Sequence, residues 1–300
     1  MDRRLEYCIS TEYEGMKISD FLKKKNYATS SITYIKYLED GIMLNGQRHR
    51  TCDKLKTGDE LIINYREDLS SPKIPPIKMD LDILYEDEDM IIINKPSDMP
   101  THPSMNNYDN TLANALAYYF REQGLSFVFR SLNRLDRDTT GAVLVAKNGL
   151  AGSMLSTMVK ARRIDKVYVA LVRGKIEAEE GIIDAPIGRV PGSTIERFVD
   201  YENGQKAVTQ YRVIEYDGLH NISYVEFKLH TGRTHQIRVH MKHMGHPLLG
   251  DRLYDPDNYD KEGLRRQALH CHRMSLVNPL TGDWVKVTAP LPSDMKLITG

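Results

Sequence analysis

The sequence predicts an α+β protein of two units, and three observations carry that reading. At about 150 residues per domain, a chain of 300 residues suggests two domains, one of them large enough to bury a substantial core. Residues 1–65 mix short helical patterns with a hairpin, whereas residues 80–300 are rich in strands with a few helices. Between them, residues 66–79 hold Pro72, Pro75 and Pro76 among polar side chains, which is linker composition. At about 3.1 Å per extended residue the linker could span roughly 40 Å and place the small unit well away from the large one.

The elements follow from spacing. Ile18, Phe21 and Leu22 fall at i, i+3, i+4, and Ile32, Ile35 and Leu38 repeat at three-residue steps, so two short helices open the chain. Asn45-Gly46 is a tight-turn signal after Ile42 and Leu44, and "DELIINY" is a later strand. In the second unit "MIIINK", "GAVLVAK", "KVYVALVRG", "AVTQYRVIEY" and "SYVEFKLH" are strand candidates. In the last of these Val225, Phe227 and Leu229 alternate with Glu226 and Lys228, as a half-buried strand requires. "NTLANALAYYFRE" predicts a helix from about 111 to 122. Thr234 is placed to cap a helix whose buried face is Ile237, Met241 and Met244.

Lys plus Arg equals Asp plus Glu at 41 each, so net charge points to no partner, but the distribution does. From Phe127 to Lys175 ten basic residues face three acids, and from Lys17 to Gly58 nine face four. Two basic segments in a neutral chain fit steering of a polyanion to a patch. Three scattered cysteines, Cys8, Cys52 and Cys271, make neither a disulfide framework nor a CxxC metal site and fit a reducing cytoplasm. No apolar run approaches the ~18 residues of a membrane span.

Four stretches could carry chemistry. In "NRLDRDTTG", Asp138 through Gly141 have turn chemistry, but Asp136 lies ahead of the turn where nothing local calls for a carboxylate. A structural ion pair and a reactive group explain it equally well. In "TGRTHQIRVHMKHMGHPLLGD", Arg238 and Lys242 share the polar side of the predicted helix. His235, His240, His243 and His246 are clustered, yet their spacing does not bring three to one face as HExxH does, which favours hydrogen-bonding or phosphate-contacting histidines over a metal site. Tyr168 stands in an apolar strand as a core residue or a stacking platform. In "NKPSDMPTHPS", Lys95-Pro96 and His102-Pro103 bracket a rigid loop.

Taken together these segments, with "ALHCHRMSLVNPLTG", resemble the RluA/RluD-type family of RNA pseudouridine synthases over most of the chain, in the family's order. Residues 17–64 resemble the S-four-type RNA-binding domain that many members carry in front. The resemblance implies a mostly antiparallel mixed-sheet catalytic domain over 80–300, preceded by a small helix-plus-hairpin RNA-binding domain. It makes Asp136 the catalytic aspartate, Tyr168 the active-site tyrosine and Arg238 the arginine paired with the aspartate, with Arg233 as an alternative. Arg134 matches the arginine that fills the gap left by a flipped nucleotide; Arg233, His235, Lys95 and His102 are the further substrate-binding candidates. Asn133 departs from the family's usual His and cannot titrate.

The implied reaction rejoins uracil to ribose through C5 in place of N1, with no atom gained or lost, so no cofactor and no metal is expected. It needs one ionised carboxylate in a dry site, and an adjacent arginine favours the ionised form against desolvation. The implied partner is RNA, ribosomal RNA of the large subunit first and transfer RNA next, acted on by a cytoplasmic monomer with no membrane role. A reading from another class, a non-catalytic RNA-binding or ribosome-assembly factor, makes Asp136 and Arg238 a buried structural pair.

Overall fold

A computed structural model describes residues 1–67, 70–71, 73–104, 107–259, 261 and 263–296. Pro72 of the expected linker and residues 297–300 lie outside them. In the first unit, β1 (Arg3–Cys8), α1 (Ile18–Lys24), α2 (Thr29–Tyr37), β2 (Ile42–Leu44), β3 (Gln47–Arg48) and β4 (Glu60–Tyr65) build an antiparallel sheet in the order β1-β4-β2-β3. Asn45 and Gly46 both take positive φ, the requirement of a two-residue turn matched to strand twist, and join β2 to β3. The helices bury Ile18, Phe21, Leu22, Ile32 and Ile35 against Leu44, Leu61 and Ile63.

The second unit begins with β5 (Ile83–Glu86), β6 (Met90–Lys95), α3 (Leu112–Glu122), β7 (Arg130–Ser131), β8 (Thr140–Ala146), α4 (Gly149–Lys160) and β9 (Asp165–Arg173). It continues through β10 (Glu180–Asp184), β11 (Ile187–Arg189), β12 (Arg197–Val199), β13 (Val208–Asp217), β14 (Ile222–Leu229), α5 (Gln236–His243), β15 (Leu269–Val277), β16 (Trp284–Thr288) and α6 (Ser293–Lys296). One ten-stranded sheet runs β10-β13-β14-β9-β15-β8-β6-β5, with β16 beside β15 and β7 beside β8. It is mixed and mostly antiparallel, as expected: β8 and β15 pair parallel, and β8 is buried along its whole length. Strands β11 and β12 stand apart as a two-stranded ribbon.

Helix α3 starts on a capping box, Thr111 accepting from Asn114 N–H while Asn114 accepts from Thr111 N–H. Helix α5 does not start on Thr234. Its cap position is His235 in a left-handed conformation, and the tie expected of Thr234 is made by Gln236. That side chain accepts from Arg233 N–H and Thr231 Oγ1 and donates to Val208 O. Among the described residues no helix is long and apolar enough to cross a membrane.

The 40 Å reach of the linker is unused. Leu150 and Met154 of α4 complete the core of the small unit, while Ala151, Leu155 and Met158 on the same helix enter the core of the large one. Arg3 pairs with the buried Asp89, and Glu67 holds both Arg130 and the Gly149 N–H. Later in the linker, Pro75 is strapped down by Asn114, whose side chain donates to its carbonyl at 2.8 Å. Burying apolar side chains at about 25 cal/mol per Å² outweighs the entropy of a free tether.

Candidate active site

Asp136 lies on the loop between β7 and β8, and the sheet brings that loop to Tyr168. The parallel pairing of β8 with β15 requires Gly141: its φ is +106°, and a Cβ there would sit 2.3 Å from the Cys271 carbonyl oxygen. Tyr168 on β9 is in register with Cys271, so it faces the loop across one strand. Asn133 has a backbone task. Its side-chain Oδ1 accepts from Leu144 N–H at 2.9 Å and its Nδ2 donates to Ala142 O at 3.1 Å, continuing the pairing of β7 with β8. An amide supplies a donor and an acceptor side by side, which explains the letter without any proton transfer.

Arg238 is 6 % exposed and is oriented from behind. Its Nε and Nη2 donate to Asp251 at 2.7 and 2.8 Å, and its Nη1 donates to Asp136 Oδ2 at 3.1 Å. Asp251 is fully buried and also accepts from the Leu253 and Tyr254 N–H groups, so the fork cannot turn. Burial alone would lower the Arg238 pKa; the hydrogen bonds and charges of Asp251 and then Asp136 outweigh it and raise it, so the guanidinium is permanently charged. No described residue donates to Asp136 Oδ1, which is left to the cleft.

His235 Nε2 lies 3.8 Å from Asp136 Oδ2, and its Nδ1 meets the Tyr254 hydroxyl at 2.8 Å. Burial lowers the pKa of this imidazole, keeping it neutral. Tyr254 in turn accepts from Arg197 N–H at 3.0 Å, with the Arg238 guanidinium 4.9 Å from its ring centre. Tyr168 is buried, and burial together with the neighbouring Cys271 thiol raises its pKa well above the ordinary value, so it is a neutral phenol.

The structure therefore gathers Asp136, Arg238, His235, Tyr168 and Arg134, with Arg233 lining the same hollow as Asp136 and Tyr168, and gives Lys95, His102 and Arg233 partners other than Asp136. Lys95 is fully buried and its ammonium donates to Pro96 O, Met99 O and Arg137 O at 2.7–2.9 Å, so it fastens the loop to the backbone beside Asp136 and offers nothing to a ligand. Desolvation pushes its pKa down to about 7, against the opposing charges of Asp138 and Asp136. His102 packs edge-on to Phe129 and meets Ser131 Oγ at 3.2 Å on the rim. Arg233 donates to Lys206 O and Gln205 Oε1, which removes it as the partner of Asp136. The other clustered histidines diverge: His240 sits between Thr209 and Ala185, His243 meets Tyr201, and His246 meets the Arg173 carbonyl.

Two hollows of about 960 and 610 Å³ open on either side of Asp136, and both are lined by Arg134, Asp136 and Thr234. The larger adds Arg189, Arg197, Arg252 and Arg265; the smaller adds Lys160, Arg162, Lys166 and Tyr168. Sequence reasoning missed Asp251, Tyr254, Arg189 and Arg197. The Gly250-Asp251 turn after the histidine-rich helix was the available signal for the first; the others declare themselves only when β11 and β12 pair. The arrangement presents one carboxylate oxygen, backed by a fixed cation, to a cleft whose walls are cationic.

Comparison with known proteins gives a consistent picture. The family model described as RNA pseudouridylate synthase matches residues 89–243. An uncharacterized RNA pseudouridine synthase of Bacillus subtilis, YhcT, is 37% identical over 98% of this chain and 96% of its own length. Ribosomal large subunit pseudouridine synthase D of Buchnera aphidicola is 35% identical over 95% of this chain and 93% of its own. Among solved structures, human RNA Pseudouridylate Synthase Domain Containing 1 superposes with a TM-score of 0.59 at 32% identity, covering 72% of this chain and 85% of that one.

Proposed function

The chain belongs to the RNA pseudouridylate synthase family and is an RNA pseudouridine synthase, an isomerase; from that premise we propose that its substrate is large-subunit ribosomal RNA and that Asp136 is its reactive group. The observation that carries the second point is the Asp251–Arg238–Asp136 chain, which fixes one carboxylate oxygen and leaves the other facing the cleft. Asp136 Oδ1 acts at the ribose, as nucleophile at C1′ or base at C2′, while Arg238 stabilises the charge without needing to move.

Tyr168 supports the released uracil by stacking, and as a buried neutral phenol it does not serve as a base at neutral pH. Arg134, exposed and without a carboxylate partner among the described residues, enters the space the flipped nucleotide vacates. The small unit, with Lys23, Lys24, Lys25, Lys36, Arg48 and Arg50, adds a second foothold on the RNA. The ribosomal substrate is favoured by the relatives named ribosomal large subunit pseudouridine synthase D in several bacteria.

Two measurements test this. Tritium release from 5-tritiated uridine in ribosomal RNA is expected from the wild type and is expected to vanish in Asp136→Asn with RNA binding retained; equal release from both would sink the assignment of Asp136. Mapping pseudouridine in ribosomal and transfer RNA with and without the gene tests the substrate, and a loss confined to transfer RNA would overturn the ribosomal reading.

A further inference from the structure

The β11–β12 ribbon carries an arrangement that folding alone does not favour. Arg189 and Arg197 are directly opposed across its two strands. Val190 N–H donates to Glu196 O one position along, so the arginines occupy a non-hydrogen-bonded pair, where facing side chains stand closest. Like charges opposed in this way destabilise a ladder. Neither arginine has a carboxylate partner among the described residues; the only hydrogen bond from either side chain is Arg197 Nη1 to the neighbouring Glu196 carbonyl.

Both arginines line the larger hollow beside Asp136, and Ile195 at the ribbon's turn is 60 % exposed on the same wall. The ribbon is also held at a set distance from the carboxylate. Arg197 N–H donates to the Tyr254 hydroxyl at 3.0 Å, that hydroxyl meets His235 Nδ1 at 2.8 Å, and His235 Nε2 is 3.8 Å from Asp136.

Building on the reading of the chain as an RNA enzyme, we infer that Arg189 and Arg197 form a phosphate clamp on the β11–β12 ribbon, gripping the backbone of the RNA strand beside the target uridine. A phosphodiester between the two guanidinium groups turns their mutual repulsion into paired attraction, and each guanidinium suits phosphate oxygens bidentately. The backbone tie through Tyr254 and His235 sets the distance from the gripped phosphate to Asp136. The exposed Ile195 side chain gives the ribbon an apolar tip to lie against an unstacked base.

The test measures binding of a short uridine-containing hairpin of large-subunit ribosomal RNA as a function of salt, for wild type and for Arg189→Gln with Arg197→Gln. Losing the contact to the one gripped phosphate lowers the slope of log Kd against log salt by about 0.7, the single-strand value per phosphate. At physiological salt kcat/KM falls about tenfold with kcat at saturating RNA nearly unchanged, the pattern of lost uniform binding. The melting temperature stays level or rises, because two opposed like charges are gone. Arg121→Ala, exposed at the C-terminal end of α3 and paired with Glu122, serves as the control and leaves the slope alone. An unchanged slope in the double variant overturns the clamp, as does a fall in melting temperature that accounts for the whole loss of kcat/KM. Absence of turnover by the wild type would instead overturn the ribosomal substrate, and the slope comparison would still read the clamp.

Discussion

The floor and the rim of the cleft are both built from arginine, and they differ in how many partners each arginine has. On the floor, each of the three Arg238 nitrogens donates to Asp251 or Asp136, and Arg266, also buried, is held by Asp294 and the Asp138, Gln267 and Leu269 carbonyls. On the rim, Arg134, Arg189, Arg252 and Arg265 are exposed and have no carboxylate partner among the described residues. A buried charge must be paired or it does not stay charged, so the floor is satisfied within the fold. A rim that left its cations equally satisfied would have nothing to offer a polyanion. The same side chain thus serves preorganisation below and recognition above, and the two regions should fail under different insults.

The largest effect is expected from removing the floor's anchor. Asp251→Ala leaves the Arg238 guanidinium buried with one partner in place of two, a change that typically costs about 3–5 kcal/mol. Denaturant unfolding measures it, and a loss below about 1 kcal/mol would show that the floor is no more rigid than the rim. Adding Arg238→Met to Asp251→Ala should recover much of the stability, because an apolar replacement removes the uncompensated charge, yet it should not recover turnover. Stability and activity then separate on one pair of residues.

Acid should damage the buried core and spare the rim. His270 is fully buried, donating through one ring nitrogen to Ala289 O and meeting Thr140 Oγ1 with the other, and burial pushes its pKa down to about 4. The unfolded chain takes up this proton near pH 6.5 and the native state does not until about 4. The stability it contributes is therefore complete above 6.5 and is lost as pH falls toward 4, by about 3 kcal/mol at 1.36 kcal/mol per unit. Unfolding free energy measured across that window should slope steeply in the wild type and less in His270→Gln; identical slopes would place the acid sensitivity elsewhere. Arginine does not titrate in this range, so rim binding should respond to salt and not to acid.

How much of this was legible in the sequence follows the same division. Strands with strong local pattern, such as Met90–Lys95 and Ile222–Leu229, were readable because alternation and apolar runs are local signals. Helix α4 was not, because "GLAGSMLSTMVK" splits its apolar residues between two cores and dilutes them with Gly, Ser and Thr. Strand β1, "RRLEYC", was hidden by charge at an edge. At the site, Asp136 stood out as a carboxylate without a local reason, and Arg238 came with the motif. Lys95 reads as a ligand group in its loop motif, because its burial among three carbonyls is invisible there. Arg189 and Arg197 are eight residues apart and meaningless until strand register sets them face to face.

Arg134 gives the smallest and most discriminating expectation. It lines both hollows beside Asp136 and sits on the loop that carries the carboxylate, yet no described residue fixes its guanidinium. If it were one more phosphate contact, Arg134→Ala would weaken RNA binding and leave saturated turnover alone, as expected of the ribbon arginines. If it fills the gap left by the flipped nucleotide, it stabilises only the opened state, whose unstacking costs a few kcal/mol. Its loss then lowers kcat about tenfold, or ~1.4 kcal/mol, with Kd changed far less. Single-turnover rates beside equilibrium binding separate the two, and a pure binding defect would return Arg134 to the rim.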